Sequence, residues 1–313
     1  MRTDAGRFAP SPTGSLHLGN LRTALLAWCF ARSRGAPFLI RVEDLDPQRS
    51  RRTHEAEQLA DLARLGIDWD GEPVRQSERH ARHRAAFERL SAAGLTYPCW
   101  CTRAEVRAAA QAPHGNPDAY PGTCRRLSAR ERAERERRGR PAAWRLDAGS
   151  AIVAFEDAIA GAVRGVVDDF VLWRGDDVPA YNLAVVLDDA QAGVGEVVRG
   201  DDLLTSTPRQ ILLARLLDLS VPGYAHVPLV LDPSGQRLAK RSGAVTLRER
   251  LARGERVEQV IGWMAASVGL LAEPSPLRAA ALLAGFEPAR IARAPTTFDP
   301  ARPMFDQPAP RAA

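Results

Sequence analysis

Two hydrophobic periods alternate along the first part of the chain, and their alternation predicts an α/β fold. From His17 onward, apolar residues recur on one helix face, at Leu18, Leu21, Leu25 and Trp28. Residues 38–42 form a short apolar run that is typical of a buried strand, and residues 7–9 can end a preceding strand. A strand, a helix and a strand in this order predict a parallel pair with a right-handed crossover, as in a Rossmann-like sheet.

The alternation continues beyond this unit. Helical spacing of apolar residues predicts helices at residues 53–66, 78–94, 208–217 and 257–271, with a helical stretch from Thr246. Short apolar runs predict strands at residues 151–155, 165–173, 183–187, 195–198 and 226–231. Residues 294–313 are rich in proline, and we expect them to form a loose tail.

Residues 7–20 join a strand end to a helix start through a turn rich in proline and glycine. Gly19 lies in the first helical turn, where backbone N–H groups have no intrahelical partner and the potential is positive. A phosphate can approach such a turn closely, so this stretch predicts a nucleotide site. Glu43 follows the neighbouring strand, and the carboxyl ends of parallel strands share one edge, so we expect Glu43 nearby.

The composition is that of a globular chain with a basic surface. With 313 residues and 45% apolar content, it has enough material for a large core, for one large or two modest domains. The sequence has neither an apolar run of bilayer length nor an apolar leader, so we expect a cytoplasmic protein without membrane contact. Residues 125–140 carry eight Arg and three Glu, which fits either a solvated helix or a phosphate-contacting surface.

A second basic segment lies at residues 235–243, just beyond a predicted strand. Its Arg and Lys side chains stand between two glycines, which is how a mobile phosphate clamp can be built. With the helix start at His17, such a loop can hold a triphosphate from two sides.

These two segments resemble the signatures of class I aminoacyl-tRNA synthetases. Residues 7–20 are similar to the opening of glutamyl-tRNA synthetases, with His17 to Asn20 in the place of the HIGH signature. Residues 237–241 resemble the second signature, KMSKS. The similarity covers about residues 5–270 and implies the α/β catalytic domain of this class, with a zinc-containing insertion and a short helical C-terminal segment.

The resemblance implies an enzyme that activates an amino acid with ATP. A carboxylate attacks the α-phosphate, while the protein contributes positioning and charge stabilisation. We expect His17, Gly19 and Asn20 to contact the ATP, and Lys240 to neutralise charge on the pyrophosphate. His17, Asn20 and Lys240 are therefore the predicted catalytic residues, and Mg²⁺ should accompany ATP.

The resemblance also implies a glutamate pocket, which must hold two carboxylates and one ammonium group. The residues that line it by similarity are Arg7, Ala9, Ser11, Glu43, Tyr181 and Arg199. Two arginines and one glutamate supply the matching charges, but the sequence leaves open which arginine binds which carboxylate.

Three cysteines cluster in the sequence at Cys99, Cys101 and Cys124. In a reducing compartment this crowding favours a zinc site over a disulfide, with free buried thiols as the alternative. Chemistry alone favours His114 as the fourth ligand, whereas the family pattern Cys-x-Cys, Tyr-x-x-x-Cys implies Tyr120. We expect Tyr120.

The chain departs from full-length glutamyl enzymes in two respects. An anticodon-binding domain needs on the order of a hundred residues, so we expect none after Arg237. This length resembles the short branch of the family that attaches glutamate to the queuosine base in the tRNA(Asp) anticodon, and the tRNA(Asp) anticodon stem-loop is then the expected partner. In addition, Arg237 and Ala239 replace residues of the KMSKS signature, and Val185 replaces a usual Asn that would contact glutamate.

The expected organisation follows from these segments. It comprises two halves of the catalytic domain at residues 1–97 and 151–245, a zinc-binding, Arg-rich insertion at 98–150, a helical segment resembling a stem-contact region at 246–293, and the tail at 294–313. We expect a monomer that activates glutamate without tRNA. The alternatives are a truncated glutamyl-tRNA synthetase charging tRNA(Glu) and a non-catalytic, zinc-containing RNA-binding module.

Overall fold

The computed structural model describes residues 4–102, 104–106, 120–238, 243 and 245–307. The strands in these ranges are β1 Gly6–Phe8, β2 Phe38–Val42, β3 Val74–Arg75, β4 Thr96–Cys99, β5 Ala143–Leu146, β6 Ile152–Asp157, β7 Gly161–Val166, β8 Val171–Trp173, β9 Glu196–Gly200, β10 Gly223–Val227, β11 Val230–Leu231 and β12 Thr296–Thr297. The α-helices include α1 Leu18–Arg32, α2 Arg52–Arg64, α3 His80–Ala92, α4 Ala129–Arg137, α5 Tyr181–Gln191, α6 Thr207–Leu216, α7 Leu247–Ala252 and α8 Val257–Ala266. Over these same ranges, no helix has both the length and the apolar content that crossing a bilayer requires.

A parallel sheet forms the centre of the molecule. β1 pairs with β2 and β2 with β3, all parallel, and β9 pairs with β10 in the same sense. Ala5 joins the two sets, because its N–H donates to Gly193 O and its carbonyl accepts from the N–H of Gly195. The resulting order, β3-β2-β1-β9-β10, is that of a Rossmann-like sheet, and the predicted α/β class is confirmed.

Helix α1 lies against β1 and β9, and its start is fixed locally. His17 is the N-cap: its backbone is extended, and its side chain accepts a hydrogen bond from the N–H of Asn20. The helix is buried along most of its length. β1 can approach it closely only because residue 6 is glycine, since a Cβ there would lie 2.8 Å from the Cβ of Ala31.

Three of the expected strands differ in the structure. Residues 183–187 belong to helix α5 and not to a strand, because a short apolar run fits a buried helix as well as a buried strand. The expected strand at 165–173 is interrupted between β7 and β8. The one at 226–231 is divided between β10 and β11 at Pro228, which has no N–H for a ladder.

The expected helix at residues 257–271 is shorter in the structure. Helix α8 ends at Ala266, and Gly269 then adopts a φ of +81°, which is outside the helical region.

Strands β4, β5 and β8 form a second, antiparallel sheet in the order β4-β5-β8. Cys99 pairs with Ala143 across it. The basic helix α4 follows the cysteines; Ser128 caps it in a capping box with Glu131, and its side chains lie at the surface. Glu134 pairs with Arg138 at 2.7 Å, as expected for a solvated helix.

The proline-rich end is packed, so the expectation of a loose tail is wrong for residues 294–307. β12 pairs in parallel with β11, while Phe298 and Met304 are buried in the main hydrophobic core. The fully buried guanidinium of Arg250 donates hydrogen bonds to the carbonyls of Pro300 (3.0 Å) and Arg302 (2.8 Å). Two apolar anchors and one buried arginine thus hold a segment whose composition alone suggests disorder.

Candidate active site

A cleft of about 560 Å³ opens at the carboxyl edge of the parallel sheet, between β1 and β9. The structure brings together in its lining the predicted site residues Arg7, Ala9, Ser11, His17, Gly19, Asn20, Glu43, Tyr181 and Arg199. Lys240, the remaining predicted catalytic residue, lies outside the described residues. The cleft is therefore built from the turn at residues 7–20 and from strand ends of both halves of the sheet.

The start of α1 forms the floor of one end of the cleft. His17 Nδ1 accepts from the N–H of Asn20 at 3.2 Å, so in the neutral ring Nε2 carries the proton and can donate to a ligand. A Cβ on Gly19 would lie 3.1 Å from the His17 ring and 3.4 Å from Val230. Glycine at this position keeps the backbone N–H groups accessible to an anion.

On the β1 side, Arg7 is already paired with a carboxylate. Its Nε and Nη2 donate to the two carboxylate oxygens of Asp189, at 3.2 and 3.4 Å, and its Nη1 donates to Val198 O at 3.3 Å. Arg41 donates to the same carboxylate and, through Nη2, to Glu43 Oε1 at 3.0 Å. Two arginines and two carboxylates thus form one buried network.

The network shifts the pKa values of its two acids, Glu43 and Asp189, in opposite directions. Burial raises the pKa of Glu43 above its ordinary value, and Arg41 offsets this only in part. For Asp189, burial also raises the pKa, but Arg41 and Arg7 outweigh it and hold the pKa below the ordinary value. Asp189 is the ionised centre of the network, and Glu43 is its more easily protonated end.

On the β9 side, Arg199 is held differently. Its Nη1 donates to Gln210 Oε1 at 2.8 Å and to Tyr181 OH at 3.4 Å. Its Nη2 donates to Thr207 Oγ1 at 2.8 Å, and its Nε donates to His226 Nε2 at 3.1 Å. Within the described part of the chain, the hydrogen-bond partners of Arg199 are all neutral, so its positive charge faces the cleft uncompensated.

Sequence reasoning missed several of these side chains. Arg41 and Asp189 were not predicted, although a lone arginine in the apolar strand β2 and an acid in the apolar helix α5 are signals of buried partners. His226 and Thr207 carried no signal in the sequence, because their contacts with Arg199, 27 and 8 residues away, form only when β9, β10 and α6 pack together.

Two residues that depart from the signatures lie in different surroundings. Val185 was expected to remove a polar contact from the glutamate pocket, but it is buried in the hydrophobic core of the second half. Tyr181, at the first turn of helix α5, lines the cleft, whereas Val185, one turn further along the helix, is not among the lining residues. Arg237 lines the cleft and forms an ion pair with Asp202 at its rim.

The cysteines of the insertion converge as a metal site requires. The sulfurs of Cys99, Cys101 and Cys124 all lie within 4.8 Å of one another, and Tyr120 OH is 3.4 Å from Cys99 Sγ and 3.6 Å from Cys101 Sγ. His114 lies outside the described residues. These separations fit four ligands around one tetrahedral ion.

Arg145 favours the thiolate form at this cluster. Its Nε donates to Cys99 Sγ at 3.1 Å, and its guanidinium lies 3.7 Å from the centre of the Tyr120 ring. A hydrogen bond from Cys101 lowers the pKa of the Cys99 thiol to about 4, with Tyr120 and Arg145 acting in the same direction against burial. Cys99 is therefore the thiol of the cluster that most readily supplies a thiolate ligand.

The sheet order, with the His17 helix start at its carboxyl edge, is that of a nucleotide-binding α/β domain. The model of the family described as tRNA synthetases class I (E and Q), catalytic domain, matches residues 5–261. The chain belongs to this family of ATP-dependent ligases, which confirms the resemblance in the sequence.

Individual proteins are similar to this chain over nearly its whole length. A glutamyl-Q tRNA(Asp) synthetase from Nocardia farcinica is 60% identical over 291 residues, covering 93% of this chain and 92% of that protein. One from Symbiobacterium thermophilum is 51% identical, covering 93% and 94%. The crystal structure of a glutamate tRNA ligase from Elizabethkingia meningosepticum in complex with its amino acid superimposes with a TM-score of 0.80 at 27% identity, covering 96% of this chain and 68% of that one.

Proposed function

We propose that this protein activates L-glutamate with ATP, without tRNA, and transfers the glutamyl group to the queuosine base of the tRNA(Asp) anticodon. The observation that carries the proposal is the combination, in one cleft, of a helix start suited to phosphate with an arginine whose charge is uncompensated. The names of the relatives from Nocardia and Symbiobacterium support the choice of acceptor.

In the activation step, one α-carboxylate oxygen of glutamate attacks the α-phosphorus of ATP. The bond to the bridging oxygen breaks, and pyrophosphate leaves with the electron pair. His17, Asn20 and the N–H groups near Gly19 would donate to the phosphates, and Lys240 would neutralise the pyrophosphate. Mg²⁺ would enter with ATP as part of the nucleotide substrate. The protein's contribution is alignment and electrostatic stabilisation.

The amino acid would lie between the two sides of the cleft. Arg199 would bind one carboxylate, because its charge has no acid to neutralise it among the residues that the structure describes. Glu43 lies on the opposite side and would accept from the ammonium group. Ala9, Ser11 and Tyr181 complete the lining of this space.

The activation step is tested by glutamate-dependent pyrophosphate exchange in the absence of tRNA. We expect exchange with wild-type protein and a loss of several orders of magnitude in Lys240→Ala, with the thermal unfolding midpoint unchanged. Exchange that survives in Lys240→Ala would overturn the role of that lysine. No exchange by wild-type protein would overturn the activity itself.

The acceptor is tested with radiolabelled glutamate and two preparations of tRNA that differ only in queuosine. We expect label in the tRNA that carries queuosine and none in the other. The competing acceptor is tRNA(Glu), favoured by a glutamate–tRNA ligase from Halorhodospira halophila that is 40% identical over 308 residues, covering 94% of this chain and 65% of that protein. Equal labelling of both preparations would favour that second function.

For the insertion, we propose one structural zinc ion held by Cys99, Cys101, Tyr120 and Cys124. Metal analysis should give about one zinc per chain, and Cys124→Ser should lower it. Cys29→Ser, which alters a buried thiol on α1, is the matched control and should leave the zinc content unchanged. A wild-type zinc content near zero would exclude the site.

A further inference from the structure

We propose that Asp157 and His226 form a buried relay that positions Arg199 for the substrate carboxylate while leaving its charge available. The inference rests on the proposed function, because it assigns Arg199 to a carboxylate of glutamate. Neither Asp157 nor His226 lines the cleft, and both side chains are fully buried behind it. They are positioning residues, since they act only through Arg199.

The relay begins at a carboxylate that the backbone holds in place. Asp157 ends β6, and its Oδ1 accepts from the N–H groups of Ile159 (3.0 Å), Ala160 (2.9 Å) and His226 (3.2 Å). These hydrogen bonds and the one from the His226 ring outweigh burial and bring the pKa of Asp157 to about 2. The acid is therefore ionised, with its second oxygen directed at the imidazole.

The histidine transmits this orientation in one tautomer. Its Nδ1 lies 2.6 Å from Asp157 Oδ2, so it donates its proton to the carboxylate. Nε2 then presents a lone pair to Arg199 Nε at 3.1 Å. Burial lowers the pKa of His226 below its ordinary value, and the Asp157 hydrogen bond only partly offsets this, so the ring stays neutral at physiological pH.

A near-parallel aromatic ring and a hydroxyl group flank the imidazole. The His226 ring stacks on Tyr224 with 12° between the planes and 6.1 Å between the centres. Thr207 Oγ1 lies 3.1 Å from His226 Nε2 and accepts from Arg199 Nη2. The guanidinium is thus fixed at three nitrogens by groups from β10 and α6.

The neutral histidine lets Asp157 orient the Arg199 guanidinium without neutralising its charge. A carboxylate in direct contact would orient the guanidinium but cancel its charge, as Asp189 does for Arg7. The imidazole leaves the arginine cationic and holds the acid one ring further away. The arrangement resembles the second-sphere acids that fix the tautomer of metal-bound histidines, with a guanidinium in the place of the metal.

Three variants test the relay by the KM for glutamate in pyrophosphate exchange. His226→Leu removes the acceptor and should raise this KM about ten-fold to a hundred-fold, with the KM for ATP unchanged. His226→Gln returns an acceptor oxygen near the Nε2 position and should restore most of the loss. Asp157→Asn turns an N–H₂ group toward Nδ1, which moves the ring proton to face Arg199, and should raise the KM as His226→Leu does.

The control is His83→Leu. His83 Nε2 lies 3.1 Å from Asp188 Oδ1 in another buried His–carboxylate pair, and this pair does not contact Arg199. It should lower the unfolding midpoint without a selective rise in the KM for glutamate. If His226→Leu does not fold, Asp157→Asn against His226→Gln carries the test. An unchanged KM for glutamate in Asp157→Asn, or equal losses for both substrates, would overturn the relay. Wild-type protein without exchange would instead overturn the proposed function.

Discussion

The two arginines of the cleft, Arg7 and Arg199, are equally buried but electrostatically different. Arg7 shares the carboxylate of Asp189 with Arg41, and Glu43 balances the second arginine, so that side of the cleft is close to neutral. Arg199 has neutral partners throughout the described ranges. The comparison teaches that burial and residue type do not identify a substrate-binding cation. What identifies it is the charge of the groups that hold it.

The largest expected effect comes from removing the acid that neutralises the Arg7 side of the cleft. Asp189→Ala leaves the guanidinium groups of Arg7 and Arg41 buried without their shared acid, and should lower the free energy of unfolding by about 3–5 kcal/mol. Urea denaturation measures this change. Asp176→Ala, which removes a half-exposed acid paired with Arg174, is the control and should cost less than about 1 kcal/mol. Similar losses in both variants would contradict the comparison.

The next effect falls on activity. Arg199→Lys keeps a charge in the cleft but loses the planar fork that Gln210, Thr207 and His226 hold. We expect kcat/KM for glutamate to fall about ten-fold to a hundred-fold, the cost of losing a hydrogen bond to a charged group. Arg174→Lys at the surface should leave it unchanged. Full activity in Arg199→Lys would mean that the fork is not needed.

A smaller effect tests whether residue 185 contributes to glutamate binding. Val185→Asn restores the residue usual in full-length glutamyl enzymes, but at a position inside the core. It should lower the free energy of unfolding by about 1–3 kcal/mol, because the amide is buried without partners, and leave the KM for glutamate unimproved. Ile152→Asn, at a half-exposed position, is the stability control. A lower KM in Val185→Asn would place residue 185 in the pocket after all.

The smallest expected effect is a change in how the free energy of unfolding depends on pH. The pKa of His226 is lowered in the folded protein, so at mildly acidic pH the unfolded chain binds a proton at this residue that the folded protein does not. Stability therefore falls as pH decreases below the ordinary histidine range. The slope for one group is at most about 1.4 kcal/mol per pH unit. Asp189 is also lowered, but from the ordinary aspartate range, so its contribution is lost only at more acidic pH.

Urea unfolding between pH 7 and pH 5 measures this difference. His226→Gln should show a flatter dependence than wild-type protein over this interval. Glu43, with its raised pKa, titrates in the opposite direction in both proteins, so the comparison isolates His226. Parallel curves would show that His226 does not titrate with unfolding.

Local features of this site were readable from the sequence, and distant ones were not. The helix start at His17 and the strand end before Glu43 follow from neighbouring residues, and both are where the pattern predicts. The network of Arg7, Arg41 and Asp189 depends on a packing of β1, β2 and α5 that no local window contains. Helix α5 was misread as a strand because its apolar run satisfies either period.

Residues 294–307 close the main hydrophobic core at the end of the described part of the chain. Trimming the protein after residue 307 would keep Phe298 in the core and both carbonyl acceptors on Arg250. Trimming it after residue 293 would remove Phe298 and both carbonyl acceptors, leave the Arg250 guanidinium with Glu255, and uncover the Trp263 ring that packs on Phe298. The proline-rich segment therefore completes the hydrophobic core, and its removal would impair folding rather than only shorten a linker.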